Sequence, residues 1–532
     1  MIRAPGGRAA AWTAAAGRLV PGAIMLGAIM LALAAAARPA AERGAPPWRA
    51  AADGVWHDIG CPWQPEGGRR LDCGVLEVPE NRADPLSRTI YLHVRIFRAR
   101  RPSGLPPVLF LNGGPGQAMD FEDAEGVAGW ADYLDRVMPW SGERDVILPA
   151  QRGTLVRGVG LACPELGDPR VYLGATERPG PPTDWVANLR RADSDCRARL
   201  GRQGHDLAGY STTENARDMV ALRRALGVGQ WMLYGVSYGT RLGFEILRQD
   251  PGGVWAAVFD SVFPPQVTAH WHDPAPFVAA LGALIANCAA DPLCDRAFPD
   301  LGRRLDRLLE RLAEAPLPIH VDDPGGRLPR LYFHLDDTVL IDMIFSALYW
   351  RDGIEALPLA IDALDRGDVA RFREVLAEPW VFDPLFAGWA HGMQAAVTCN
   401  DDFAFFDPDA LRAAMARYPL LSRWLGLALR LPACDGWPVR PRDSGFARPV
   451  STAVPVLMLA GALDPVTPPA YAEAALAHLP RGQLHVVPGA AHSVLDSAPC
   501  ARALVARFAQ APDRPLPALC AGRGVHFDFL TR

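Results

Sequence analysis

The residues with the clearest capacity for chemistry lie in the segment 235–239, which reads GVSYG. The segment follows an apolar run and precedes a helical pattern, which is the context of a nucleophilic serine on a tight strand-to-helix turn. Glycines two residues before and after the serine let neighbouring backbones pass without Cβ clashes. The pattern predicts Ser237 as a covalent nucleophile, although a chain with 50 glycines also produces this spacing by chance.

A serine hydroxyl becomes a nucleophile when a base takes its proton, and the base needs an acid that orients it. Asp464 follows the apolar run 454–460, and His492 follows the apolar run 484–487. The chain order Ser, Asp, His is the order found in α/β-hydrolases. We therefore expect Ser237, Asp464 and His492 to form a triad. Taken singly, Asp464 is also typical of a turn before Pro465, and His492 of a surface loop.

A carbonyl under attack becomes an oxyanion, which needs N–H donors held in place beforehand. The residue after the nucleophile, Tyr238, offers one such donor. The segment 112–116, NGGPG, follows an apolar run and offers a second at Gly113 or Gly114. A plain Gly-Pro turn is the alternative for this loop.

The elements that must position these residues are strands alternating with helices. Apolar runs at 108–111, 145–148, 231–234 and 254–259 are followed by tight loops or helical patterns, which predicts a parallel, doubly wound sheet. From about 265 to 450 the patterns are mainly helical, at 277–287, 301–313, 338–350, 354–364, 389–397 and 411–429. We expect an α/β fold of the α/β-hydrolase type, with core segments 38–264 and 451–532 and a helical lid at 265–450.

The beginning of the chain has the pattern of an export signal. Arg3, Arg8 and Arg18 precede an uncharged apolar run at 19–37 that ends in small residues. We therefore expect residues 1–37 to be a signal peptide and the protein to be periplasmic or extracellular. A retained membrane anchor is the alternative, because the run is near the lower limit for spanning a bilayer.

Cysteine content agrees with export. The ten cysteines all lie beyond residue 60, and their number is even. No cysteine or histidine cluster has zinc spacing, so we expect no metal and no cofactor. Free thiols in a cytosolic enzyme are the alternative. The expected disulfides are Cys61–Cys73, Cys163–Cys196, Cys288–Cys294, Cys399–Cys434 and Cys500–Cys520.

Overall charge argues against a nucleic-acid partner. The chain of 532 residues has a formal net charge of −5, whereas a phosphate backbone requires a basic face. The 50% hydrophobic content is that of an ordinary globular protein.

Several motifs together resemble the proline iminopeptidase and tripeptidyl aminopeptidase family of α/β-hydrolases. They are the GGPG loop in 112–116, QRGT at 151–154, GVSYGTR at 235–241 and DPVTP at 464–468. The segment 210–215, YSTTEN, and the paired cysteines are similar to the exported branch of that family. Two departures weaken narrow proline specificity, namely Asn112 in place of a histidine and Ala150 in place of an aspartate.

The resemblance implies an exopeptidase that acts on peptides with a free N-terminus. In this family acidic residues of the lid hold the substrate's α-amino group, and the exported branch often has an acidic pair just after a cysteine. Here that pair is Asp401 and Asp402, with Asp401 favoured, and a solvated turn is the alternative. We also expect apolar lid walls, with Trp271, Trp350, Phe386 and Trp389 as candidates.

Two other functions remain open at this stage. The same triad would serve an esterase or amidase acting on small molecules. A non-catalytic binding protein on a hydrolase scaffold is the other alternative, and an intact triad argues against it.

Overall fold

The computed structural model describes residues 54–65, 69–154, 160–267, 273–382, 388–431, 434–438, 445–521 and 526–531. The predicted signal segment 1–37 lies outside the described residues, as do Trp271 and Phe386. No helix in these ranges combines the length and the apolarity needed to cross a bilayer.

A nine-stranded sheet forms the centre of the structure, in the order β1-β2-β3-β5-β4-β6-β7-β10-β11. Neighbouring strands pair antiparallel from β1 through β2 and β3 to β5. They pair parallel along the rest of the sheet, from β5 through β4, β6, β7 and β10 to β11. This order, with helical crossovers between the parallel strands, confirms the predicted α/β-hydrolase fold. The strands are β1 Val55–Ile59, β2 Leu71–Pro79, β3 Thr89–Phe97, β4 Val108–Leu111, β5 Val146–Pro149, β6 Trp231–Val236, β7 Val254–Asp260, β8 Leu317–Val321, β9 Leu331–Leu335, β10 Val456–Gly461 and β11 Gly482–Val487.

Helices cover both faces of the sheet. They are α1 Ala124–Arg136, α2 Pro169–Tyr172, α3 Trp185–Arg202, α4 Thr212–Ala225, α5 Tyr238–Gln249, α6 Ala275–Ala290, α7 Pro292–Ala297, α8 Leu301–Glu314, α9 Asp337–Ala347, α10 Arg351–Asp365, α11 Val369–Phe372, α12 Glu378–Val381, α13 His391–Asp401, α14 Pro408–Arg417, α15 Ser422–Leu425, α16 Leu427–Arg430, α17 Pro469–Leu476, α18 Val494–Ser497 and α19 Pro499–Gln510.

The parallel strands are continuous apolar runs because both of their faces are covered. On β4, Phe110 packs in a cluster with Trp130 of α1, whereas the adjacent Leu111 packs on the other face with Leu242 of α5. Alternate side chains of one strand thus belong to two different cores. The sheet is fixed from both sides, and the loops at its carboxyl edge start from rigid ends.

The helical insertion, α6 to α16, has an apolar core of its own and is joined to the sheet domain. Leu463 and Ala491 belong to that core, although they lie next to the predicted triad residues Asp464 and His492. The insertion therefore packs over the loops that carry the predicted acid and base. The boundaries 265 and 450 stay predictions.

Two details of the insertion differ from the sequence-based expectation. β8 and β9 form an antiparallel hairpin inside the segment that was expected to be mainly helical. Pro318 in β8 is tolerated because the hairpin has only two strands, so both of its strands are edges.

The expected helix at 411–429 is wrong as a single element. α14 ends at Arg417, a 3-10 turn occupies Pro419–Leu421, and α15 and α16 follow as separate short helices. Pro419 causes the break, because proline has no backbone N–H to donate and its ring disfavours helical geometry at the preceding residue, Tyr418.

All five expected disulfides are present, and no described cysteine is free. Two of them, Cys163–Cys196 and Cys399–Cys434, lie in one apolar cluster with Tyr238. The second links α13 of the insertion to the segment that returns to the sheet.

Removing the Cys399–Cys434 bridge should cost more stability than removing Cys288–Cys294, because the closed loop is longer, with sequence separations of 35 and 6. In the chain-entropy picture the losses are about 4 and about 2 kcal/mol. Urea unfolding of the two double Cys→Ser variants measures the difference. Equal losses, or a larger loss for the short loop, would contradict the expectation.

Candidate active site

Ser237 lies at the turn between β6 and α5 in a conformation that few residues adopt. Its backbone has φ 56° and ψ −125°, a strained region that is held by the surrounding structure. A Cβ at Gly235 would lie 2.6 Å from the Gly239 carbonyl oxygen, and one at Gly239 would lie 2.0 Å from the Leu111 carbonyl oxygen. Both glycines are therefore required by close backbone approach, as the sequence predicts.

His492 and Asp464 are hydrogen-bonded to each other in the buried interior. The distance between His492 Nδ1 and Asp464 Oδ2 is 2.8 Å, and the two residues are 3% and 2% exposed. His492 Nε2 is buried and has no hydrogen-bond partner among the described residues. The Nδ1 contact orients the ring and leaves Nε2 to act on a substrate or on the serine.

The Asp464 carboxylate is held by three donors besides the imidazole. The backbone N–H groups of Val466 and Thr467 donate to Oδ1 at 2.9 and 2.8 Å, and Thr467 Oγ1 donates to Oδ2 at 2.7 Å. Burial by itself would raise the pKa of this carboxyl, but the charge and hydrogen bond of His492 and the donors of Thr467 lower it below its usual value. Asp464 is thus ionised at neutral pH, as an orienting acid must be.

Tyr349 contacts the imidazole from the insertion. The rings of Tyr349 and His492 meet edge to face, with centroids 5.0 Å apart. Burial raises the pKa of the Tyr349 hydroxyl above its usual value, so the ring is neutral. This contact could not be predicted from the sequence, because a tyrosine at the end of a helical pattern is typical of helical core.

A cavity of about 420 Å³ contains Ser237 and His492 in its lining. This size is within the range of small-molecule sites. Gly114 and Tyr238 also line it, whereas Gly113 does not. Tyr238 is the first residue of α5, so its N–H is one of the donors that the helix itself leaves unpaired.

The cavity walls are largely aromatic and apolar. Trp389 lines the cavity as expected, whereas Trp350 does not. The other aromatic wall residues come from the loop after β7, from α6, from the α9 region, from the α15 region and from α17, namely Phe263, Phe277, Phe345, Tyr349, Trp424 and Tyr471. Much of the wall was unpredictable because it is assembled from separate helices.

Asp402 lines the cavity and is held by a buried arginine. Its Oδ1 accepts from Arg241 Nη1 at 2.5 Å, and the Arg241 guanidinium packs on the Phe263 ring. Burial raises the pKa of Asp402 to about 6. The charge of Asp401 adds to this rise, and the charge of Arg241 partly offsets it. No described residue donates a hydrogen bond to Asp402 Oδ2.

Asp401 is buried but does not line the cavity. Its Oδ2 accepts from the backbone N–H of Thr212 at 2.8 Å, at the beginning of α4. Because the side chain of Asp401 contacts a helix terminus and does not line the cavity, the geometry favours Asp402 over Asp401, and the choice between them stays a prediction. A helix end leaves N–H groups that attract a carboxylate, which accounts for this placement.

A third acid of the insertion, Asp273, also lines the cavity and was missed. It is exposed, and one oxygen accepts from the Ala275 N–H at the beginning of α6, at 3.0 Å. An Asp two residues before a helix reads as a simple cap in sequence, so nothing in the pattern indicated a second role.

The arrangement of these residues supports acyl transfer by a serine. Among the described residues the one cluster with possible metal ligands is Cys163, Glu165 and Cys196. Its two cysteines are joined in a disulfide, so their sulfurs are not available as thiolates.

Parts of the chain are similar in sequence to a family of TAP-like proteins and to two peptidases. Residues 426–519, which contain Asp464 and His492, match the family model described as TAP-like protein. The chain is 26% identical over 315 residues to the serine protease Hip1 of Mycobacterium bovis, which covers 56% of this chain and 59% of that protein. It is 30% identical over 234 residues to the tripeptidyl aminopeptidase of Streptomyces lividans, which covers 42% and 41%.

The match thus spans about three fifths of the length of the mycobacterial relatives and two fifths of the Streptomyces relative. Among solved structures, a thermophilic esterase from Thermogutta terrifontis is 16% identical, with a TM-score of 0.36 and coverage of 83% of this chain and 99% of that chain.

Thr467→Val should lower kcat with little change in KM. The variant removes the hydroxyl that donates to Asp464 Oδ2, and a hydrogen bond to a charged group contributes about 1.5–3 kcal/mol. We expect roughly 10-fold or greater loss of kcat. Thr467→Ser keeps the hydroxyl and is the matched control. Equal activity of the two variants in steady-state assays would show that the hydroxyl has no part in orienting the acid.

Proposed function

We propose that this chain is an exported serine exopeptidase that releases N-terminal residues from peptides through an acyl-enzyme on Ser237. The type would be that of a proline iminopeptidase or a tripeptidyl aminopeptidase. One observation carries the proposal: Ser237, His492 and the insertion acid Asp402 line one cavity of about 420 Å³ with aromatic walls. A nucleophile, a base and a carboxylate in one enclosed site match the needs of an aminopeptidase.

In the first chemical step, His492 Nε2 takes the proton of Ser237 Oγ as that oxygen attacks the scissile carbonyl carbon. The backbone N–H groups of Tyr238 and of Gly114 or Gly113 stabilise the oxyanion. The protonated imidazole then donates its proton to the leaving amine as the C–N bond breaks. Asp464, ionised throughout, stabilises the imidazolium through Nδ1.

In the second step a water attacks the acyl-enzyme, and His492 again takes the proton. The Ser237 oxygen leaves and regains a proton from the imidazolium. The acid product carries the N-terminal residues of the substrate, and Ser237 is regenerated.

Asp402 is the best placed acid to bind the α-ammonium of the substrate. Arg241 fixes one of its oxygens, which leaves the other to accept charge-assisted hydrogen bonds. Because the pKa of Asp402 is about 6, its affinity for an ammonium should fall as the pH drops through that value. The aromatic walls favour apolar residues upstream of the scissile bond.

The comparisons support this proposal through the relatives' printed activities, a serine protease and a tripeptidyl aminopeptidase. We further propose that α6 to α16 act as a lid on the core segments. The five disulfides support a periplasmic or extracellular location, and the proposed partner is a peptide with a free N-terminus.

An esterase or amidase that acts on small molecules is the second candidate. The observation that favours it is the ion pair between Asp402 and Arg241, because an arginine already compensates the charge that an ammonium would need. A substrate panel separates the two candidates: aminoacyl and tripeptidyl anilides against short-chain esters of the same acyl size.

Ser237→Ala should abolish hydrolysis of every substrate of that panel, because loss of the nucleophile typically costs several orders of magnitude. An active-site fluorophosphonate should label the wild type and not the variant. Unchanged thermal unfolding of Ser237→Ala is the control for folding. Activity near that of the wild type would remove Ser237 from the mechanism.

Asp402→Asn should raise KM for free-amine anilides at least about 10-fold, because it removes the charge that binds the ammonium. It should leave a neutral ester nearly unchanged. Asp273→Asn is the matched comparison, since Asp273 lines the same cavity. A KM effect in Asp273→Asn alone would transfer the amine site to Asp273, and equal effects on amine and ester substrates would indicate a structural role for Asp402.

A further inference from the structure

Asp260 is a buried acid at the centre of the sheet's carboxyl edge that takes no part in the mechanism above. It is the last residue of β7, opposite Val236 of the nucleophile strand and Leu459 of the strand that leads to Asp464. The residue is 0% exposed, and it is not among the residues that line the cavity.

The contacts of Asp260 join the nucleophile to the base. Its backbone oxygen accepts from the N–H of Ser237 at 3.0 Å. Its side-chain oxygens accept from the N–H groups of Val494 at 2.8 Å and Leu495 at 2.9 Å, just after His492. The neighbouring Ser261 Oγ accepts from the N–H of Ser493 at 2.9 Å. Three consecutive amides that follow the base are therefore fixed by the last residue of β7 and the residue after it.

A carboxylate does more here than complete hydrogen bonds. A buried carboxylate is costly unless it is hydrogen-bonded or paired. A neutral side chain such as serine or asparagine also accepts from amides at the start of a helix, so these hydrogen bonds by themselves do not require a carboxylate at this position. Burial raises the pKa of Asp260, while the amides of Leu495 and Val494 and the attraction of protonated His492 oppose that rise. This attraction is mutual, so the Asp260 charge also stabilises the imidazolium.

Other titratable groups face these two residues from each neighbouring element. Asp464 and Tyr349 face His492, and Tyr234 donates to Asp260 Oδ2 at 3.3 Å. Asp496 lies near Asp260, and burial together with the Asp260 charge raises the pKa of Asp496 to about 7. Four donors contact the Asp260 side-chain oxygens and favour its ionised form: the amides of Val494 and Leu495 and the hydroxyls of Tyr234 and Ser261.

We propose that Asp260 is a positioning residue for the base: its carboxylate holds the backbone after His492 in register with Ser237, and its charge stabilises protonated His492. The proposal rests on the proposed function, because it assigns a role relative to Ser237 and His492. Asp260 is then a second acid, distinct from Asp464, that acts on His492 through the backbone segment that follows His492.

The test compares three variants of the full chain: Asp260→Asn, Ser261→Ala and Asp496→Asn. Asp260→Asn should lower kcat on a neutral ester about 10- to 100-fold with KM unchanged. Ser261→Ala removes the contact with the Ser493 amide and the hydroxyl that donates to Asp260 Oδ1 at 3.3 Å. It keeps the Asp260 carboxylate and its two amide contacts, so it should lower kcat less than Asp260→Asn does, also with KM unchanged.

Asp496→Asn is the control for burial of a neutral amide in the same cluster. It should keep kcat within about threefold and leave unfolding unchanged, because the amides of Ser493, Val494 and Leu495 are held by Ser261 and Asp260 and not by Asp496. Equal losses of kcat and of stability in Asp260→Asn and Asp496→Asn would overturn the proposal in favour of a merely structural role. Wild-type kcat in Asp260→Asn would also overturn it. If Asp260→Asn does not fold, wild-type kcat in Ser261→Ala has the same consequence.

The rate of fluorophosphonate labelling separates this proposal from the proposed function. Absence of labelling in the wild type would contradict a serine hydrolase and with it both proposals. Labelling of the wild type but not of Ser237→Ala, with an unchanged rate in Asp260→Asn, would overturn the positioning role alone. A slower rate in Asp260→Asn and Ser261→Ala is the expected result.

Discussion

The close approach of α5 to β4 is the constraint on which the site depends. A Cβ at Gly239 would lie 2.0 Å from the Leu111 carbonyl oxygen, so the helix reaches this position only with glycine there. The approach brings the first N–H of α5, at Tyr238, to the same cavity as Gly114 of the loop after β4. Gln151 fixes that loop from the next strand, since its Nε2 donates to the Asn112 oxygen at 2.9 Å. Ser237 and the proposed oxyanion donors are thus positioned by close backbone approach, together with the side-chain contact from Gln151 to the loop.

The insertion meets the sheet domain through buried charges that are each compensated. Asp401 accepts from the Thr212 N–H at the beginning of α4, and Asp402 pairs with Arg241 of α5. Both acids follow Cys399, whose disulfide to Cys434 lies in the apolar cluster that contains Tyr238. A carboxylate in such a place is tolerated only with partners. These partners make both acids structural contacts. Arg241 contacts only one oxygen of Asp402, so the other oxygen is available to a ligand.

How far the sequence predicted the structure depends on the range of the interaction. The parallel strands were predictable because burial on both faces makes them apolar runs. The turn at Ser237 was predictable because the close backbone approaches on either side of it admit only glycine, at Gly235 and Gly239. The hairpin of β8 and β9 and the break at Pro419 were missed, because short elements depend on neighbours more than on their own pattern. The five disulfides were predicted by pairing cysteines that follow one another in sequence, at separations from 6 to 35 residues, and the structure confirms those pairs.

The sequence by itself determined the fold class, the disulfide pairing and the three residues proposed as nucleophile, acid and base. Each of these is encoded by local signals: glycines at a turn, apolar runs and an Asp or His just after a strand. Only the tertiary structure decided that Asp402 and Asp273 line the cavity and Asp401 does not, that Tyr349 packs on His492, and that Asp260 holds the chain behind the base. The physical reason is that the direction of a side chain is set by whichever partner lies within reach, and for Asp401 that partner is an amide 189 residues away in sequence.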